Sequence, residues 1–230
     1  MRLLCFGDSF AATGFLNPEE IAAGRPASWM DLLADRLNAE LIINGISGTG
    51  PLELIHHLST WHDFRDTDIV ITIFSRPSRL CLTPSSPGLS TFAPDSNIES
   101  LDYDAIQNDI FKDRSVPYVK RVFQTHRWHQ LYLDTPYRSE VIHRTALLAL
   151  DSIAQRNPSK FFMKYSFDSE VSNHNHMGIE PKFFKYLTGS CFSMSGEEFT
   201  GQRITNHFVA QRVEPFVDYM YENITKEIKE

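Results

Sequence analysis

The stretch Asp68-Ile69-Val70-Ile71-Thr72-Ile73-Phe74 is apolar at nearly every position, without the alternation of a strand that keeps one wet face. A run of this length and β-branched content reads as a strand buried on both sides, the kind that fills parallel sheets. Two similar runs precede it. Arg2-Leu3-Leu4-Cys5-Phe6 is closed by Gly7-Asp8-Ser9, and Glu40-Leu41-Ile42-Ile43-Asn44 is closed by Gly45-Ile46-Ser47-Gly48-Thr49-Gly50. Between them Trp29, Leu32, Leu33 and Leu37 recur at helical spacing, and Pro51 opens a second helix predicted to run through Leu58. Three strand-loop-helix units in succession predict an α/β protein. Its parallel sheet is covered by helices, and its ligand crevice lies at the carboxyl ends of the strands.

Beyond Phe74 the rhythm breaks. Residues 76–116, which include Pro84-Ser85-Ser86-Pro87-Gly88, read as a long surface excursion, and loops of that length are commonly functional. A helical pattern then runs from Pro117 to Gln155, interrupted near Thr135-Pro136 because proline breaks the hydrogen-bond ladder. Lys160 to Phe167 reads as a fourth strand, and a last helix is predicted from about Glu214 to Ile228. No repeat, low-complexity tract or break in composition divides the chain, so residues 1–230 are expected to form one domain.

The chain is long enough, at 230 residues and 42% hydrophobic, to build a full core without covalent staples. Its formal net charge of −7 argues against nucleic acid and anionic lipid as partners, since both attract clustered Lys and Arg. The one basic cluster, Lys120 and Arg121 with Arg127 nearby, reads as a solvated helix face. Cys5, Cys81 and Cys191 stand far apart with no CxxC pair, which disfavours a zinc ribbon or a disulfide framework and favours a reducing compartment. No apolar run approaches the roughly 20 residues of a membrane helix, and Asp8 interrupts the apolar opening. The expected location is the cytoplasm, or a particle assembled there.

Two loops carry the candidate chemistry. Gly7-Asp8-Ser9 would set Ser9 at the carboxyl end of the first strand, where a small residue before a sharp turn frees a hydroxyl for attack. The same tripeptide also suits a plain capping turn, because Asp and Ser satisfy orphan amides. Asn44-Gly45-Ile46-Ser47-Gly48-Thr49 lies at the end of the second strand and exposes backbone amides through glycines, as an oxyanion site requires. A dinucleotide loop is the rival reading, but neither GxGxxG nor GxxxxGK[ST] occurs.

With Phe6-Gly7-Asp8-Ser9-Phe10 as first block and Asn44-Gly45-Ile46-Ser47-Gly48-Thr49 as second, the chain resembles the SGNH, or GDSL-type, hydrolase superfamily over its first 75 residues. The resemblance implies a flavodoxin-like three-layer α/β/α fold, Ser9 as nucleophile, oxyanion-hole amides from Ser9 and Gly48, and hydrolysis of esters, often acetyl groups on carbohydrates. It implies no cofactor and no metal. The third block departs from the family's Gly-x-Asn-Asp, reading Phe74-Ser75-Arg76-Pro77-Ser78-Arg79. Asp8, Ser75, Arg76 and Arg79 are therefore candidate substrate or oxyanion contacts, an arginine there being suited to an oxyanion or an acidic group. For the base, His207 precedes the amphipathic run Val213, Phe216, Val217, Met220 and Ile224. Ile204 stands where the family places the orienting Asp, which leaves Glu197, Glu198 or a backbone oxygen to hold the imidazole, or a bare Ser-His dyad. These departures resemble those of divergent SGNH-like proteins of phage.

Other patterns have blander readings beside the chemical ones. His174-Asn175-His176 with Asp168 or Glu170 would suit a divalent ion, yet also reads as a polar loop, and either histidine is a substitute base. His56-His57 lies on a predicted helix with one ring on each side of its amphipathic boundary, and Phe123, Trp128, Tyr132 and Tyr137 form either a sugar-stacking platform or core. The expected activity is a serine esterase or deacetylase acting on a small-molecule or glycan ester. The alternative is a catalytically degraded module of the same fold that binds a glycan or a protein partner.

Overall fold

The computed structural model describes residues 1–12, 28–46, 49–75, 104, 115–132, 135–166, 179–195, 208 and 210–229. Five strands form one wholly parallel sheet: β1 (Arg2–Gly7), β2 (Glu40–Gly45), β3 (Ile69–Phe74), β4 (Lys160–Tyr165) and β5 (Phe184–Ser190). Their order is β2-β1-β3-β4-β5, so the direction of winding reverses between β1 and β3. At such a reversal the loops leave in opposite directions and open a crevice at the carboxyl edge.

Period-two alternation sends successive residues of each strand to opposite faces. Leu3, Cys5, Ile69, Ile71, Ile73 and Phe162 form one core with α1 (Trp29–Leu37) and α6 (Ala210–Lys229). Leu4, Phe6, Val70, Phe74, Phe161 and Met163 form the other with α2 (Pro51–Thr60) and α4 (Pro136–Arg156). The result is a three-layer α/β/α sandwich. The described residues also form α3 (Val116–Tyr132) and the short α5 (Cys191–Ser195).

Local chemistry sets the boundaries. Ser28 and Asp31 close a capping box at the start of α1, whose end is Asn38 in the left-handed region at φ 50°. Pro51 begins α2 and Pro136 begins α4, each where its missing N–H has no helical partner to lose. The expected interruption near Thr135-Pro136 is thus a new helix start, capped by the Thr135 hydroxyl, which accepts from Arg138 N at 3.2 Å.

Two elements differ from the sequence reading. The strand β5 was not anticipated, because Phe184-Lys185-Tyr186-Leu187-Thr188-Gly189-Ser190 mixes polar and apolar residues and ends in a bulge around Gly189. Helix α6 starts at Ala210, a turn before the expected Glu214, and carries Pro215 inside it. A proline reads from sequence as a first-turn residue, whereas here the buried Val213, Phe216 and Val217 hold the helix together around it. Most of the expected excursion at 76–116 lies outside the described residues.

At the amino edge of the sheet a buried charge network joins β1 to β3. Arg2 donates to both carboxylate oxygens of Asp68, at 2.9 and 2.6 Å, and to Asp63 at 2.6 Å. Asp68 also accepts from Arg65 N at 2.8 Å. Hydrogen bonds from Asp68 and then Asp63 push the Arg2 guanidinium further up from its already high pKa. Arg2→Met would leave the Asp68 carboxylate buried and unpaired, so it should lower stability by about 3–5 kcal/mol. Urea denaturation read by circular dichroism checks this, and Asp63→Asn, which alters only the exposed partner, should cost far less.

Candidate functional site

The site begins where β1 ends. Gly7 has φ +152°, and a Cβ on it would sit 2.7 Å from both Cβ and O of Ile73, so only glycine lets β1 turn this close to β3. Asp8 then caps a single 3₁₀ turn, Ser9–Ala11: its Oδ1 accepts from Phe10 N at 3.0 Å, and its carbonyl accepts from Ala11 N at 2.9 Å. Gly45, paired with Gly7, underlies this turn. A Cβ there would come within 2.0 Å of the Ala11 carbonyl oxygen. The two glycines that the sequence places at two strand ends therefore serve one close contact, the seating of the Ser9 turn against the sheet.

Three further contacts pin the turn. Trp29 Nε1 of α1 donates to Phe10 O at 2.7 Å, while the Trp29 ring meets Phe216 edge to face at 5.2 Å. Phe10 meets Phe208 edge to face at 5.9 Å, and Phe208 packs on Phe216 at 4.5 Å. Across the crevice, Ser166 donates its hydroxyl to Asp8 Oδ2 at 2.7 Å. Asp8 is fully buried, with both carboxylate oxygens accepting from within the protein. Ser9 itself is 5% exposed, and no described residue hydrogen-bonds its hydroxyl.

Ser9, Ser75 and Ser166 thus follow β1, β3 and β4, three adjacent strands, at the carboxyl edge beside the winding reversal. Their hydroxyls differ in state. Ser166 is committed to Asp8, and its backbone N–H and C=O bind Phe74 O and Phe192 N at 2.8 Å each. The Ser75 hydroxyl is buried and has no hydrogen-bond partner among the described residues. A lone buried hydroxyl costs about 1–3 kcal/mol.

On the side of the sheet that faces α6, Lys164 is wholly buried and donates to Thr188 O at 2.6 Å and Gly189 O at 2.9 Å. Its ammonium lies 4.7 Å from the centre of the Tyr219 ring. The bulge of β5, with Gly189 at φ +69°, turns these carbonyls toward the charge. Burial pushes the nearby Cys191 thiol up to about 12, with the Lys164 charge opposing and the Asp8 charge adding to the rise. Cys191 is therefore a packing residue in its folded state, not a nucleophile.

Of the residues singled out in the sequence, Asp8, Ser9 and Ser75 are brought to one edge of the sheet. Gly48, Arg76, Arg79, Glu197, Glu198 and His207 lie outside the described residues, as do Asp168, Glu170, His174 and His176. Their neighbours are informative. Ile46 and Thr49, which flank 47–48, are joined by Thr49 N and Oγ1 donating to Ile46 O at 3.1 and 2.6 Å, and Ile46 N donates to Gly7 O at 2.9 Å. Phe208, the residue after His207, is the ring that packs on Phe10, the residue after Ser9.

Ser166 and Lys164 were missed. Lys164 left a faint signal as the lone charge within Phe161-Phe162-Met163-Lys164-Tyr165; Ser166 left none, since its partner is distant in sequence. Trp128 and Tyr137 are exposed, so neither ring belongs to the buried core. Among the described residues no group of His, Cys, Asp or Glu is arranged to hold a metal ion, and no helix is long and apolar enough to cross a membrane.

The two unlike serines make a paired prediction. Ser166→Ala strips a hydrogen bond from a buried carboxylate and should cost about 1–3 kcal/mol. Ser75→Ala removes a hydroxyl that no described residue bonds and should leave the melting temperature unchanged or higher, measured by calorimetry on both variants. Comparison with protein-family models, with curated proteins and with solved structures found no match to this chain.

Proposed function

We propose that the chain is a serine esterase or deacetylase of the SGNH kind, acting on a small acyl ester, with carbohydrate acetyl groups the leading substrate class. The Ser9 hydroxyl attacks the acyl carbonyl as His207 takes its proton, and the amides of Ser9 and Gly48 hold the oxyanion. His207 returns that proton to the departing alcohol. Water, deprotonated by the same imidazole, then attacks the acyl-enzyme and releases the acid. Ser75, Arg76 and Arg79, which follow the third strand in sequence, are assigned as contacts for the acyl oxygen or an acidic substituent, with Glu197 or Glu198 to orient the imidazole. Asp8 holds the turn, its oxygens being engaged by Phe10 and Ser166.

The observation that carries this reading is the edge-to-face packing of Phe10 on Phe208. The two rings belong to the immediate sequence neighbours of the nucleophile and of the base, which come from opposite ends of the sequence. A turn held by Gly7, Gly45, Trp29 and Asp8, with a hydroxyl that no described residue engages, supports the same assignment.

The expected outcome is that a fluorophosphonate adds covalently to the native protein, that peptide mapping finds the adduct on Ser9, and that Ser9→Ala abolishes it. Hydrolysis of p-nitrophenyl acetate should fall by at least about 10⁴-fold in Ser9→Ala and steeply in His207→Ala. A His207→Ala rate near wild type moves the base to His174 or His176. Absence of any adduct on a folded protein ends the esterase reading and leaves a binding module.

A further inference from the structure

Helix α3 stands out by its charge. Between Val116 and Tyr132 it carries Lys120, Arg121 and Arg127 and no Asp or Glu, in a chain whose formal net charge is −7. Spacing sorts its residues further: Arg121, Gln124, Thr125 and Trp128 follow one another at i, i+3, i+4 and i+7, which sets them on one face of the helix. All four are exposed, Trp128 to 55%, and together they line an open recess of about 290 Å³.

The groups on this face differ from those of an ordinary solvated helix. Arg2, Arg36, Arg65 and Arg144 each hold a carboxylate, whereas Arg121 has no ion-pair partner among the described residues. One turn further on, the Gln124 carboxamide offers donors and an acceptor, and the Thr125 hydroxyl offers both. Another turn on, Trp128 presents an indole whose π face carries partial negative charge. Seven residues of helical rise put Arg121 and Trp128 about 10 Å apart along the axis.

This order of groups matches an occupant with an anion at one end, hydroxyls along its length and a flat array of C–H bonds at the other. A carboxylate-bearing oligosaccharide has all three. Its carboxylate pairs with the guanidinium, its hydroxyls bond Gln124 and Thr125, and the slightly positive axial C–H bonds of a pyranose lie on the indole face. The apolar anchor of a protein partner would meet three polar residues and a single ring. A nucleic acid would meet one cation in the recess, where its binding draws on several phosphate contacts. We infer that this face of α3 binds an acidic oligosaccharide, with a uronate on Arg121 and a neighbouring pyranose stacked on Trp128. The site does not depend on the proposed acyl transfer, since none of its lining residues belongs to the Ser9 turn.

The chain's three tryptophans make the test specific. In a ¹H–¹⁵N spectrum of the uniformly labelled protein, titration with trigalacturonate at constant ionic strength should move the Trp128 indole signal saturably. The signals of Trp29, whose N–H bonds Phe10 O, and of Trp61, whose N–H is buried, should stay in place. Arg121→Gln should weaken binding by about tenfold, the equivalent of one hydrogen bond to a charged group. Trp128→Ala should keep the other two indole signals, showing an intact fold, and lose the trigalacturonate-induced shifts of the Gln124 and Thr125 amides. Ser9→Ala should bind like wild type, so this result stands apart from the fate of the esterase reading. The assignment is overturned by a Trp128 signal that does not move, by equal affinity for the methyl-esterified trisaccharide, or by tighter binding of oligothymidylate, which would mark a surface for single-stranded nucleic acid.

Discussion

A carboxylate with no exposed surface must find its hydrogen bonds inside the protein, and Asp8 finds them on both sides of the sheet's crevice. One oxygen holds the 3₁₀ turn that follows β1; the other takes the hydroxyl of Ser166, which follows β4. The intervening strand joins in through Phe74 O, which accepts from Ser166 N. Three strand ends are thereby locked to one another at the place where the winding reverses. Leaving such a carboxylate unpaired costs several kcal/mol, so the geometry around Ser9 is tied to the stability of the fold itself.

The carboxyl edge also shows how close packing and chemistry divide the labour. Gly7 and Gly45 are held to glycine by neighbours with no room for a Cβ, and the turn they permit is anchored by Trp29 and Phe208. Around this rigid seat the polar groups are not all satisfied. Among the described residues, Ser75, Asn44 and Trp61 each retain a buried group without a partner. Native proteins keep few of these, and they concentrate where water or a ligand completes the set.

Much of the architecture was legible in the sequence because it rests on periodicity. The runs at β1 and β3 are apolar because they are covered on both faces, while β2 at the end of the sheet is only half-buried, and the stripe of α1 follows from its place on the sheet. Strand β5 was not legible: it is an edge strand, its residues alternate loosely, and its bulge is shaped to serve Lys164. Ser9 and Gly7 were legible through local turn chemistry. Ser166 was not, since its value depends on Asp8, a residue brought near only by the finished sheet.

The layer containing Leu3 and Cys5 is closed by Val213, Phe216, Val217, Met220 and Ile224, which come from the far side of the sequence. During synthesis β1 is therefore made long before the helix that shields one of its faces. Until Ala210–Lys229 has left the ribosome, α1 covers only part of that apolar face, and the rest stays open to water and to other chains. A growing chain of this topology is a natural client for chaperones that shelter exposed strands, and its assembly is completed by the last contacts to form rather than by the first.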